Sequence, residues 1–184
     1  KLDIYEYIVF VLVFFLFTVT ALLITPFVRL YTRGIVDTEY NQPLFGFLLV
    51  LSEALYLVKL PHLNLAYSAN KFKEITVPAY IEATLNIVIS VALVKKLGLI
   101  GVTIGTIVGM TYRMVFHVYY TSKIVPGRAQ RIFYRKLFLF AVGAGAGFAL
   151  CYKLLPLQNV TVGSWIVHAI FYCVVIGSIL LAIS

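Results

Sequence analysis

From residue 7 to residue 28 no side chain carries a charge, and Glu6 and Arg29 mark the two ends of that stretch. A helix needs roughly 20 mostly apolar residues to cross the hydrocarbon core of a bilayer, so this run predicts a membrane span over about residues 7–27. Further apolar runs predict helices over about residues 43–66, 75–94, 98–120, 137–155 and 165–184. Runs of this length are about twice that of a barrel strand and do not alternate apolar with polar residues, which argues against sheet. Hydrophobic residues make up 62% of the chain and charged residues 12%, the latter about half of what a soluble domain carries. The predicted fold is therefore an all-α integral membrane bundle of about six transmembrane helices in 184 residues.

A formal charge of +8 in such a chain is read first as topology rather than as a nucleic-acid surface. With six alternating spans, Lys1, Lys71, Lys73, Lys123, Arg128, Arg131, Arg135 and Lys136 share one face, against Arg29, Arg33, Lys95, Lys96 and Lys153 on the other. The bias makes the first face cytoplasmic, with both ends of the chain on it. A basic amphipathic connector is predicted over residues 123–136. Tyr5, Tyr7, Tyr119, Tyr120 and Trp165 suit the membrane interface. The chain opens on Lys1, and its first apolar run is long and followed by further spans, so no signal peptide is read and a fragment of a longer protein is expected. Cys151 and Cys173 lie in apolar stretches without metal-ligand spacing, and no disulfide is expected. Asn159-Val160-Thr161 matches the glycosylation acceptor pattern, a match too short to carry weight.

Charged groups at membrane depth cost about 2.5–3.5 kcal/mol on insertion scales and usually face a partner or a wet cavity. Glu53, Lys59, Glu82 and Arg113 meet that description. Thr103, Thr106, Met110, Arg113 and His117 fall near one face of their helix and form a polar stripe. Three readings stand for Arg113: its planar fork holds an anionic headgroup such as a pyrophosphate, it pairs with Glu53 or Glu82, or it snorkels to the interface. Glu82, Asn86 and Ser90 follow an i, i+4, i+8 spacing, which suits interhelical hydrogen bonding. Glu82 and Glu53 are also candidates for binding a coupling ion. Pro61 removes a backbone donor and predicts a kink beside Lys59 and His62, at a static bend or a hinge, whereas Pro78 is expected in the first turn of its helix. Gly101, Gly105 and Gly109, and again Gly143 and Gly147, predict close helix packing. No phosphate loop, paired-histidine spacing or nucleophile elbow occurs, so neither an enzyme nor a cofactor nor a metal is expected.

The stretch 65–78, the run Thr84-Leu85-Asn86-Ile87-Val88-Ile89-Ser90, the turn Lys95-Lys96-Leu97-Gly98-Leu99-Ile100-Gly101 and the Gly105-Thr106 that follows it resemble the polysaccharide biosynthesis flippases. These belong to the superfamily that also holds multidrug extruders and lipid II flippases. Residues 26–35 look like the loop after an earlier helix of that family's second lobe, and the likeness covers about residues 26–113. The resemblance implies the carboxy-terminal lobe of a two-lobe fold, with the amino-terminal lobe of the same protein as its missing partner. It implies alternating access around a site between the lobes, in the cytoplasmic membrane. The implied substrate is an undecaprenyl-pyrophosphate-linked or similar polyprenyl-linked oligosaccharide; Arg113 and Lys59, with His117 on the same stripe, would meet its pyrophosphate. Two other readings remain at this point: an extruder of organic cations using Glu53, Glu82 and Tyr56, and a non-transporting membrane scaffold.

Overall fold

The computed structural model describes residues 1–35, 40–155 and 160–183. The described helices are α1 (Leu2–Tyr31), α2 (Pro43–Val58), α3 (Leu60–Ser68), α4 (Phe72–Leu97), α5 (Leu99–Ile124), α6 (Gln130–Leu154) and α7 (Val162–Ile183). α2 and α3 together make one span, so among the described residues six helical units are long and apolar enough to cross a membrane. The chain is an all-α multi-pass membrane bundle. Asn159 of the glycosylation pattern and Ser184 lie outside the described residues.

α1 is the central element. It packs against α2, α6 and α7 along its length and against α3 at its start. The packing follows from its composition: Phe10, Val13, Leu22 and Leu23 are buried, and the Phe10 ring meets those of Phe133 and Phe140 edge-on at 5.4 and 5.8 Å. On α7 the inward residues Tyr172, Ile176 and Leu180 recur every four positions, one face of a helix. The Tyr172 hydroxyl donates to Leu155 O at 2.7 Å, tying α7 to the end of α6. Trp165, read from sequence as an interface anchor, also packs against Phe27 with ring centroids 5.9 Å apart and aims Nε1 at Leu23 O, 3.4 Å away.

α4 and α5 form a tight antiparallel hairpin. Gly98 turns the chain between them with φ +56 and ψ −133, a conformation L side chains rarely adopt. The glycine stripe then lets the two backbones touch. A Cβ on Gly101 would lie 2.7 Å from the Leu93 carbonyl carbon, one on Gly105 2.8 Å from Asn86 O, and one on Gly109 3.0 Å from Glu82 O. Gly105→Leu is therefore expected to force α4 away and destabilise the fold by about 1–3 kcal/mol, the usual range for overpacking. Denaturant titration in detergent micelles checks this; an unchanged midpoint would show that the seam is loose. Gly147 has the same use against α7, where a Cβ would meet Ile176 Cδ1 at 2.7 Å.

The interruption expected at Pro61 is present: the span predicted over 43–66 breaks at Lys59, because Pro61 has no N–H to continue the ladder, and Lys59 O instead accepts the N–H groups of both His62 and Leu63 at 3.1 Å. Two local expectations are corrected. Pro78 is not in a first turn. α4 begins at Phe72, so Pro78 lies inside the helix and leaves the Glu74 carbonyl without its usual donor. The predicted connector 123–136 is mostly helix: α5 runs to Ile124 and α6 begins at Gln130, leaving residues 125–129 as the link.

Candidate functional site

Two buried ionic assemblies sit inside the bundle. The first gathers Lys59 from the α2–α3 break, Glu82 from α4, and Arg113 and His117 from α5. Glu82 is ten residues into α4, roughly 15 Å along the helix at 1.5 Å per residue, which places it at membrane depth. Its carboxylate is shared: Oε1 lies 3.6 Å from Lys59 Nζ, and Oε2 accepts a hydrogen bond from Arg113 Nη1. Of the two ion pairs expected for Arg113, the one with Glu82 is present and the one with Glu53 is not found among the described residues.

The surroundings complete the geometry. Lys59 is fully buried. Its ammonium lies 3.4 Å from Met110 Sδ and 4.4 Å from the centre of the Tyr56 ring, both soft partners for a cation. Arg113 Nε donates to His117 Nε2 at 3.4 Å. His117 is buried, and its Nδ1 has no hydrogen-bond partner among the described residues. With two fixed cations in contact with one carboxylate, these three groups carry surplus positive charge, which Glu53 on α2 offsets from further away. The Arg113 side chain remains 18% exposed, while Lys59 and His117 are buried. Arginine forks and ammonium groups in such a place suit an anion with several oxygens.

Not every residue singled out from sequence joins this assembly. Glu53 is exposed on α2 and makes no hydrogen bond or ion pair among the described residues. Asn86 and Ser90 lie on the α4 face toward α5, where the Ser90 hydroxyl is 3.0 Å from Asn86 Oδ1 and 3.3 Å from Val102 O. Thr103 and Thr106 turn their hydroxyls onto carbonyls of their own helix, Leu99 O at 2.9 Å and Val102 O at 3.2 Å. No group of three or more histidine, cysteine, aspartate or glutamate residues with metal-site geometry occurs among the described residues.

The second assembly was missed by sequence reasoning. Glu6, at the start of α1, is fully buried; its Oε1 lies 2.5 Å from Arg128 Nη2 and 3.1 Å from His62 Nε2, and its Oε2 lies 3.6 Å from Lys136 Nζ. Asp3 adds contacts to Arg128 at 3.1 Å and Lys136 at 3.4 Å. His62 Nδ1 is 2.9 Å from Thr121 Oγ1, and its ring stands edge-on to Phe133. This clasp joins α1, α3, α5, the 125–129 link and α6 at one end of the bundle. The available signal was a lone glutamate at the head of an apolar run opposite a basic connector.

Compared with protein-family models, curated proteins and solved structures, the chain matches none of them.

Proposed function

We propose that this chain is one lobe of a transporter that turns a polyprenyl-pyrophosphate-linked oligosaccharide from the inner to the outer leaflet of the cytoplasmic membrane by alternating access, for assembly of a surface polysaccharide. The observation that carries the reading is the Lys59–Glu82–Arg113 assembly: two cations held at membrane depth around a single carboxylate. Groups so expensive to bury are usually retained for a partner or a pathway. A pyrophosphate would supply the oxygens that Glu82 alone does not, and Arg113, the partly exposed cation of the assembly, would meet it first. Lys59 at the Pro61 break and His117 with its unpartnered Nδ1 complete the headgroup contacts. The second lobe of the same protein would close the cavity.

The test depletes cells of the full-length protein and reintroduces wild type, Arg113→Ala or Arg113→Lys at matched membrane levels. Lipid-linked oligosaccharide is then assayed on each leaflet. Wild type should clear the precursor from the inner leaflet. Arg113→Ala should do so about tenfold more slowly, the effect of losing one charge-assisted contact of ~1.5 kcal/mol, and Arg113→Lys should fall between. No accumulation on depletion would sink this reading and favour export of organic cations.

A further inference from the structure

α2 and α6 stand apart on α1: their backbones do not approach each other, and they meet through the rings of Phe47 and Phe148. The space between them is a continuous groove made of two hollows of about 580 and 300 Å³ that share Ala21, Phe47 and Phe148. The deeper hollow is lined by apolar residues and Thr18, and its lining includes the exposed Leu51, Ala141 and Gly145, so it opens sideways onto the bilayer. The larger hollow continues toward the far end of α1, where its polar lining is Thr25, Arg29, Tyr152 and Tyr172.

Depth along α1 sets the scale. Glu6 and Arg29 are roughly 34 Å apart at 1.5 Å per residue, close to the ~30 Å hydrocarbon thickness of a bilayer. Thr18 therefore lies near the midplane and Arg29 at headgroup level. The groove begins at Val13, roughly 7 Å beyond Thr18 at 1.5 Å per residue, and runs across the midplane to the interface at Arg29, which covers the reach of a single hydrocarbon chain of one leaflet. At its waist the rings of Phe47 and Phe148 meet edge-on with centroids 6.1 Å apart, which leaves no width for a helix of roughly 10 Å diameter, so a hydrocarbon chain that fills both hollows has to displace these two side chains. At the mouth Arg29 donates only its Nε, to Asn41 Oδ1 at 2.9 Å; its Nη groups make no hydrogen bond or ion pair among the described residues.

We propose that this groove is a lipid site: it seats one hydrocarbon chain of an anionic phospholipid from the leaflet at the Arg29 end, with the Arg29 fork on the lipid phosphate. Charge and shape both select the occupant. An apolar channel open to the bilayer takes up hydrocarbon, and a guanidinium at headgroup depth favours phosphate lipids of net negative charge. The proposal does not depend on the transport reading.

The test reconstitutes the protein in equal phosphatidylglycerol and phosphatidylcholine, extracts it in mild detergent, and counts retained lipids by native mass spectrometry. Wild type should keep phosphatidylglycerol in preference. Gly145→Leu should remove the retained lipid of either headgroup, because a Cβ there meets nothing within 4 Å and the larger side chain fills the groove without disturbing the helices. Arg29→Gln should lower the phosphatidylglycerol preference about fivefold, the effect of one basic residue at the surface. Val88→Leu, on the exposed face of α4, should change nothing. Undiminished retention in Gly145→Leu, an unchanged preference in Arg29→Gln, or an equal loss in Val88→Leu would each overturn the site. If Gly145→Leu does not fold, the Arg29→Gln preference decides alone.

Discussion

Replacing Glu82 by alanine is expected to lower the stability of the bundle by about 3–5 kcal/mol, the range for breaking a buried ion pair by removal of one partner. The reason is charge arithmetic. Glu82 is the one carboxylate in direct contact with both Lys59 and Arg113, so its loss leaves two cations facing each other at membrane depth. Lys59→Met is expected to change stability by less than about 1 kcal/mol, because it leaves a matched Glu82–Arg113 pair and an apolar side chain beside Met110 and Tyr56. The double variant should recover part of the Glu82→Ala loss, a non-additivity expected of groups in contact. Trp165, the single tryptophan, reports on α1–α7 packing during denaturant titration in micelles. Equal losses for Glu82→Ala and Lys59→Met would show that surplus charge does not govern this assembly.

A loss of similar size, about 3–5 kcal/mol, is expected for Glu6→Ala, which removes the buried acceptor of Arg128, His62 and Lys136 together. Asp3 does not replace it. Asp3 is exposed and reaches only Arg128 and Lys136, where solvent weakens the pairing. The local effect should exceed the global one: released from Glu6, the 125–129 link should be cut faster by trypsin after Arg128, where local opening limits cleavage. Cleavage at the wild-type rate, with the denaturation midpoint unmoved, would mean that the clasp does not hold the link.

The six spans were legible because crossing a bilayer demands length and apolarity, and both are written locally. Residues 7–28 needed no tertiary information. The Arg113–Glu82 pair was legible as one of two alternatives, since an intramembrane arginine requires a partner and the hairpin brings few carboxylates near it. Which carboxylate it takes was not legible. Glu53 and Glu82 look alike in sequence, and in a helix apolar all round, periodicity does not say which face turns inward. Nor does any local pattern announce the Glu6–Arg128 contact, whose partners are 122 residues apart. Helix ends moved for a related reason: backbone hydrogen bonding carries α5 and α6 past the apolar core into polar sequence, so hydropathy places their boundaries too far inside.

The Gly98 turn has a consequence for biogenesis. Glu82 and Arg113, presented singly to the insertion machinery, would each carry an insertion penalty of about 2.5–3.5 kcal/mol at the centre of a span. The α4–α5 hairpin is closed by a single residue, its faces meet through glycines, and its two charges are already opposite each other. The two spans can leave the translocation channel laterally together, with these two mid-span charges already neutralised by each other. Lengthening the turn at Gly98 by a flexible insert should uncouple the two spans during synthesis and lower the yield of correctly inserted chain, even though the finished bundle would tolerate the longer loop.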